Sequence, residues 1–203
     1  MKLSKSKLYA QIPIEVSARH LHLSADDLHG LFRIKELTVE RAISQPGQYA
    51  AKETVALRGP RGKLENVRVV GPLRTETQLE LAASDCRVLG ITPHFAVSGD
   101  LASSGGEVLL VGPRGSIALE KGVITPLPHL HLSPKEAEVL GLAHLDRVTV
   151  RLKAEREVSL HGVVVRSRAG IDASALHLDV DQMNAIGREE HTTIISLQKE
   201  NEK

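Results

Sequence analysis

The segment His20-Leu21-His22-Leu23-Ser24 occurs a second time, unchanged, as His129-Leu130-His131-Leu132-Ser133. Alternation of this kind is typical of a β-strand, in which residues i and i+2 point to the same face. Each copy therefore presents two imidazoles side by side, a chelating pair suited to a borderline-soft cation such as Zn²⁺. The repeat indicates two metal ions, or one site assembled from both copies.

Both copies are predicted to lie where a strand ends and a helix begins. Ser24 has the character of a helix N-cap, and Ser133-Pro134-Lys135-Glu136 forms a capping box with proline at the first helical position. The second helix is predicted to stop at Gly141. A rigid strand behind the histidines and backbone amides ahead of them make each junction a favourable place for a site.

The rest of the chain reads mainly as short strands separated by Gly/Pro turns, which favours a barrel or a sandwich over a parallel α/β sheet. The predicted strands cover residues 12–16, 53–57, 66–70, 107–111, 147–152 and 162–166. The turn sequence Gly-Pro-Arg-Gly also recurs, at 59–62 and 112–115, and hints at two related halves.

Composition excludes several classes of function. The 203 residues carry 26 basic and 25 acidic side chains, a net charge of +1, so we expect no bulk attraction to nucleic acid or to a membrane surface. Cys86 is the only cysteine, which rules out an internal disulfide and fits a cytoplasmic setting. The sequence contains no apolar run long enough to span a bilayer and no secretory signal.

Each histidine pair needs a further ligand, because a catalytic zinc ion usually has three protein ligands and one open position. His177, in the alternating segment Leu176-His177-Leu178-Asp179, is one candidate. Glu80 could supply a carboxylate. From spacing alone, His177 is equally well explained as a solvent-facing strand residue, and Glu80 alone resembles a plain surface strand residue. A single His-x-His would also be read as ordinary strand residues, but two identical copies favour metal ligation.

A longer series of motifs resembles the PduL-type phosphate acyltransferases (phosphotransacylases, including phosphate propanoyltransferase). The resemblance covers about residues 12–187 and is carried by segments 16–24, 44–50, 53–55, 65–72, 74–80, 98–101, 129–133 and 177–179. Two positions depart from the family pattern, since Pro128 and Ala96 stand where arginine is usual.

The resemblance implies two small β-barrel domains with short capping helices and a dinuclear zinc site between them. The first domain is expected at 19–127. The second is expected to be discontinuous, formed by 11–18 plus 128–198, with the strand before Arg19 pairing into the C-terminal barrel.

The resemblance also assigns the site residues. One zinc ion is expected on His20, His22 and Glu80, and the other on His129, His131 and His177. Arg74 matches the arginine that engages phosphate and is the predicted catalytic residue. Arg19 is a second predicted substrate-binding residue.

The reaction implied is the reversible transfer of a short acyl group, acetyl or propanoyl, between coenzyme A and inorganic phosphate. The expected partners are therefore acyl-CoA and phosphate, and a homo-oligomer is left open. The short segment before the first strand lacks the longer extension of microcompartment-targeted members, which again predicts a cytoplasmic location. A zinc-dependent hydrolase of thioesters or acyl phosphates is the alternative enzyme. A barrel whose zinc is purely structural is the alternative outside enzymes, disfavoured by three protein ligands per metal and a single cysteine.

Overall fold

The computed structural model describes residues 5–187 and 189–200, apart from the side chains of residues 6 and 189. The strands are β1 (Ile14–Val16), β2 (His20–His22), β3 (Val39–Ala42), β4 (Tyr49–Arg58), β5 (Lys63–Gly71), β6 (Gln78–Glu80), β7 (Phe95–Ala96), β8 (Val108–Val111), β9 (Ser116–Leu119), β10 (Val123–Pro126), β11 (His129–His131), β12 (Arg147–Lys153), β13 (Val158–Arg166), β14 (Ala175–Leu178) and β15 (Thr193–Lys199). The helices are α1 (Lys5–Tyr9), α2 (Ala25–Phe32), α3 (Ala83–Leu89), α4 (Pro134–Leu140) and α5 (Val180–Ile186), with a 3₁₀ turn at Glu189–His191.

Strands account for 40% of the chain and helices for 18%, in two curled half-barrel sheets with short helices. The predicted mainly β fold is confirmed. None of the five described helices is long and apolar enough to cross a membrane.

The chain divides into two compact units. The N-terminal unit contains Ala18–Ile43 and Gly47–Pro126. Among the described residues, the C-terminal unit contains 5–17, the short segment Ser44–Pro46 and the chain from Leu127 onward.

The N-terminal unit is built on one sheet, with the strand order β7-β10-β6-β2-β5-β4-β8-β9 and with β3 paired to β4. The strand β2 lies near its centre, parallel to β5 and antiparallel to β6. Side chains from this sheet and from α2 and α3 form a single buried apolar core.

The C-terminal unit has a six-stranded sheet in the order β1-β14-β11-β13-β12-β15. The strand β1 pairs in parallel with β14, so the segment before Arg19 joins the C-terminal sheet. The strand β11 is parallel to β13 and antiparallel to β14. A second apolar core, which includes Met183 and Ile186 from α5, fills this unit.

Both units repeat one local arrangement. A His-x-His strand lies between a parallel neighbour and an antiparallel neighbour, and the parallel neighbour is the second strand of a hairpin, β4–β5 in one unit and β12–β13 in the other. The two related halves suggested by the sequence repeat are thus visible in the topology.

The leucines of the repeat determine which way its histidines face. Leu21, Leu23, Leu130 and Leu132 are all 0% exposed and belong to the two cores. Burying a leucine side chain stabilises a fold by about 1.5–3 kcal/mol, and a one-residue slip would turn these leucines out of the core. The histidines are therefore held on the opposite face of each strand.

The helix that follows each pair begins as predicted. The Ser24 hydroxyl accepts a hydrogen bond from the Asp27 amide at 3.1 Å, and the Ser133 hydroxyl accepts one from the Glu136 amide at 3.3 Å. The helix α4 ends at Gly141, whose φ of 73° is in the left-handed region that glycine adopts without strain.

Candidate metal centres

The first candidate centre lies on the face of β2 opposite its leucines. His20, His22 and Glu80 each offer a ligand atom, and these atoms lie within 4.8 Å of one another. Glu80 comes from β6, where it is the register partner of His20. Directly opposite residues on antiparallel strands share a face, so the three side chains converge.

Backbone carbonyls orient both imidazoles of this cluster. The Nδ1 of His20 donates to the carbonyl of Ala18 at 2.8 Å, and the Nδ1 of His22 donates to that of Val70 at 2.8 Å. Because Nδ1 of each ring is used in these bonds, Nε2 is the ring nitrogen that can offer a lone pair to a metal. The Nε2 of His20 is 3.7 Å from Oε2 of Glu80.

The carboxylate of Glu80 is buried and held through its other oxygen. Oε1 accepts hydrogen bonds from the Gln78 amide at 2.5 Å and from the Ser98 hydroxyl at 2.7 Å. Gln78 is itself 1% exposed and is the register partner of His22. These two donors direct Oε2 towards His20.

The second candidate centre repeats this geometry on β11. His129, His131 and His177 offer ligand atoms within 4.8 Å of one another, and their ring centroids are 4.6–5.1 Å apart. His177, from β14, is the register partner of His129. Both centres therefore combine a His-x-His pair with the residue opposite its first histidine.

Carboxylates accept two of the hydrogen bonds from the imidazoles of the second centre. The Nδ1 of His129 donates to the Leu127 carbonyl at 2.9 Å, whereas the Nδ1 of His131 donates to Oδ1 of Asp172 at 2.7 Å. The Nε2 of His177 donates to Oε2 of Glu15 at 3.1 Å.

Burial keeps one histidine of each pair neutral. It lowers the pKa of His22 to about 3, with further contributions from His20 and Arg74. Burial likewise lowers the pKa of His131 to about 3, together with the charges of His129 and His177. Both are therefore neutral near pH 7, the form that binds a metal.

The donor chemistry of both clusters fits zinc. Imidazole nitrogen and carboxylate oxygen are common zinc ligands, and three protein ligands are the number found where zinc keeps an open position for water or substrate. Other divalent transition metals accept similar donors, so the residues define two clusters that could hold metal ions without naming the element.

Arg74 lies beside the first cluster and shares a partner with it. Its Nη1 donates to Oε1 of Gln78 at 3.1 Å, while the amide nitrogen of the same Gln78 donates to Glu80. Arg74, Gln78, Gly99 and Lys121 are among the residues that line a cavity of about 350 Å³. An anion in this cavity would meet a guanidinium, which can grip two oxygens at once.

The other residues singled out in the sequence are placed differently. Arg19 is 40% exposed in its side chain and pairs through Nε with Oδ1 of Asp85, at 3.1 Å, at the start of α3. Cys86 is 1% exposed, and its sulfur lies 3.7 Å from the Thr125 hydroxyl. Cys86 therefore belongs to the core of the N-terminal unit.

Four polar residues that hydrogen-bond to the proposed metal ligands were not identified as functional residues from the sequence. Gln78 carried a weak signal, because it alternates with Glu80 in one short strand and so shares its face. Ser98 lies in one of the segments that carry the family resemblance but has no local pattern that marks its role. Asp172 and Glu15 carried no signal, since each reaches its cluster from a segment distant in the sequence.

The sequence matches the model of a protein family described as phosphate propanoyltransferase over residues 13–189. The chain belongs to the phosphate propanoyltransferase family. It is 45% identical over 179 residues to a phosphate propanoyltransferase of Rhodobacter capsulatus, covering 88% of this chain and 82% of the relative. The corresponding protein of Thermotoga maritima is 44% identical over 176 residues, covering 86% and 83%. That of Salmonella typhimurium is 41% identical over 177 residues, covering 87% and 83%.

Membership of the phosphate propanoyltransferase family confirms the family predicted from the motifs and, with it, the prediction of an acyltransferase.

Proposed function

We propose that this protein transfers a short acyl group, propanoyl or acetyl, reversibly between coenzyme A and inorganic phosphate. In this proposal two zinc ions are bound per chain, one by His20, His22 and Glu80 and one by His129, His131 and His177. Propanoyl-CoA and phosphate are the substrates that the names of its relatives favour.

One observation carries the proposal: the buried amide of Gln78 binds both Arg74 and Glu80. A cationic group suited to phosphate is thereby tied to a proposed metal ligand through one side chain. A site in which water alone attacks a thioester would have no need of a guanidinium in this position, which is why transfer to phosphate is favoured over thioester hydrolysis.

Zinc, when bound, would supply a Lewis acid for the thioester carbonyl and a cation for phosphate. The residues of the chain do the rest. Arg74 holds phosphate oxygens in a fork and offsets negative charge that develops during attack. Gln78 keeps Arg74 in place, because its Oε1 also accepts from the Gly99 amide at 3.2 Å and is fixed.

The proposed step is direct. An oxygen of phosphate forms a bond to the acyl carbon, the bond from that carbon to sulfur breaks, and coenzyme A leaves as the thiolate. An acyl-enzyme intermediate is not needed. The burial of Cys86 supports this, since a nucleophile must reach the thioester. Trapping a stable acyl adduct on Cys86 or on a serine would overturn the direct route.

The test is release of the CoA thiol from acetyl-, propanoyl- and butanoyl-CoA, measured with and without phosphate, together with detection of the acyl phosphate. We expect release to require phosphate and to match acyl phosphate formation. Arg74→Ala should lower kcat/KM for phosphate by about 100-fold, the loss of two charged hydrogen bonds. Zinc content should not change in this variant.

The matched control is Arg151→Ala, which removes an exposed arginine that pairs with Glu157. It should leave kcat/KM unchanged. Equal CoA release without phosphate would instead identify a zinc-dependent thioester hydrolase. Unfolding on metal removal, with no transfer by the zinc-loaded protein, would identify a structural zinc module.

Two further expectations from the sequence stay predictions. The first is the substrate-binding role of Arg19, and the second is a cytoplasmic location; a homo-oligomer stays open. Arg19→Ala with Asp85→Ala as its partner control would test the first, through the KM values for acyl-CoA and phosphate.

A further inference from the structure

The two clusters differ in charge. The first contains a carboxylate, Glu80, among its three converging residues, whereas the second consists of three imidazoles. A divalent cation bound by neutral imidazoles alone keeps its full charge in a partly buried setting, which is costly unless anionic groups lie nearby.

The residues opposite the second histidine of each pair differ as well. Opposite His22 is Gln78, whose amide holds Glu80. Opposite His131 is Ala175, which has no polar group to offer. Support for the second cluster must therefore come from outside the register of β11 and β14.

Asp172 provides such support for His131. Its side chain is 0% exposed, and Oδ1 accepts from Nδ1 of His131 at 2.7 Å. Arg168 grips the same carboxylate from the other side, with Nε donating to Oδ2 at 2.9 Å and Nη2 donating to Oδ1 at 3.0 Å. A carboxylate held in this fork has little freedom to rotate, so it fixes the plane of the imidazole.

Glu15 provides the matching support for His177. It lies beside His177 in the parallel pair of β1 and β14, and its Oε2 accepts from His177 at 3.1 Å. The Ser44 hydroxyl donates to the same oxygen at 2.6 Å. Because Nε2 of His177 is bonded to Glu15, Nδ1 is the ring nitrogen that faces away from Glu15.

The segment Ser44–Pro46 links the two supports. Ser44 binds Glu15, and the neighbouring Gln45 makes two hydrogen bonds with the backbone of Ala173, next to Asp172. The side-chain nitrogen of Gln45 donates to the Ala173 carbonyl at 3.0 Å, and its oxygen accepts from the Ala173 amide at 3.1 Å. One short stretch of chain thus binds the Glu15 carboxylate directly and fixes the backbone next to Asp172.

We propose that Asp172 and Glu15 are positioning residues that give the cluster of His129, His131 and His177 its affinity for zinc. The proposal rests on the zinc site in the proposed function. The first cluster contains a carboxylate among its own residues. In the second cluster, Asp172 and Glu15 supply negative charge instead, through hydrogen bonds to His131 and His177. A carboxylate that accepts from the remote ring nitrogen makes imidazole a stronger ligand, and its loss typically lowers metal affinity 10–100-fold.

The experiment isolates the second cluster by measuring zinc binding in a Glu80→Gln background. Zinc affinity is determined by competition with a chromophoric chelator, in the full-length protein. Asp172→Asn and Glu15→Gln are each added to this background. We expect each to raise the zinc dissociation constant about 10–100-fold, and both together to raise it further.

Two controls separate positioning from a general structural role. Glu157→Gln removes an exposed carboxylate from an arginine pair in the same unit, with its side chain 58% exposed, and should leave zinc affinity unchanged. In a His129→Ala background, which leaves only the first cluster, Asp172→Asn and Glu15→Gln should likewise have no effect.

Thermal unfolding of the metal-free protein is the second readout and measures the stability of each variant without zinc. It is needed because Asp172→Asn also removes the carboxylate partner of Arg168. The proposal would be overturned if Glu15→Gln left the zinc affinity unchanged. It would also be overturned if the loss of zinc affinity in Asp172→Asn were fully explained by the reduced stability of the metal-free protein. No transfer activity enters this experiment. If the chain binds two zinc ions but does not transfer acyl groups, only the proposed function fails.

Discussion

His177 lies directly opposite His129 in the antiparallel pair of β11 and β14. Glu80 has the same relation to His20 in the pair of β2 and β6. Each proposed third ligand is therefore the cross-strand partner of the first histidine of its repeat. This relation explains why two residues far apart in the sequence, in unrelated sequence contexts, complete two identical histidine pairs.

Replacement of His129 should remove one zinc ion per chain and leave the other. In His129→Ala the second cluster loses the residue that faces His177, and a pair of imidazoles binds zinc much more weakly than three ligands. Transfer to phosphate should be lost as well. Metal analysis of the dialysed protein checks this, with His161→Ala as the control, since His161 is exposed. A full complement of zinc in His129→Ala would contradict the assignment of this histidine.

Replacement of Gln78 should impair phosphate binding without removing zinc. Gln78→Ala deletes the amide that holds both Arg74 and Glu80, and a hydrogen bond to a charged group contributes about 1.5–3 kcal/mol. We expect kcat/KM for phosphate to fall about 10–100-fold, mainly through KM. Steady-state kinetics at saturating acyl-CoA measures this. Gln198→Ala, at an exposed position of β15, serves as the control, and equal kinetics in the two variants would show that Gln78 has no such role.

Loss of a leucine from the repeat should cost stability before it affects chemistry. Leu130 is 0% exposed in the core of the C-terminal unit, and Leu130→Ala should lower the free energy of unfolding by about 2–5 kcal/mol. Val139→Ala, at a 46% exposed position on α4, should change it by less than about 0.5 kcal/mol. Urea unfolding of the metal-free proteins gives both values. A small effect of Leu130→Ala would mean that the leucines do not hold the register of β11.

Acid should weaken the junction between β11 and α4 through Glu136. Burial raises the pKa of Glu136, but hydrogen bonds from Ser133 and Ser174 outweigh it and leave the pKa below the ordinary value of 4.5. A carboxylate whose pKa is lower in the folded protein stabilises the fold above its unfolded pKa and loses that contribution as pH falls through the folded pKa. The difference in unfolding free energy between the wild type and Glu136→Gln should therefore be greatest above pH 4.5 and shrink below it. Urea unfolding of both metal-free proteins at pH 7 and pH 3 measures the difference, and a difference that is constant with pH would contradict this role.

The histidine pairs and their strand-to-helix junctions could be predicted from the sequence because they depend on local rules. Alternation places His20 and His22 on one face, and Ser24 and Ser133 cap helices through contacts three residues away. The mainly β fold follows from the same kind of information, and its prediction was confirmed. Spacing alone left the third residues of the clusters as candidates, since it did not distinguish His177 from a surface histidine. The resemblance to the family was what assigned them.

The supporting residues depended on tertiary structure because their contacts are long-range. Glu15 reaches His177 across 162 positions of the chain, and Asp172 reaches His131 across 41. No local pattern marks either carboxylate. Only the pairing of β1 with β14 and the placement of Ser44–Pro46 in the C-terminal unit bring them to the second cluster.

The sequence by itself thus determined the chemistry available, two chelating pairs of imidazoles, because residue type and alternation are local properties. The resemblance to the family added an arginine suited to phosphate. The resemblance named Glu80 and His177 as the completing residues, but only the tertiary structure determines how each lies against its histidine pair and which carboxylates support it. The tertiary structure aligns Glu80 with His20 and His177 with His129, and it places carboxylates inside the first cluster but behind the second. The reason is physical: strand register and the burial of Leu21 and Leu130 set which distant residues share a face, and neither is written in any one segment.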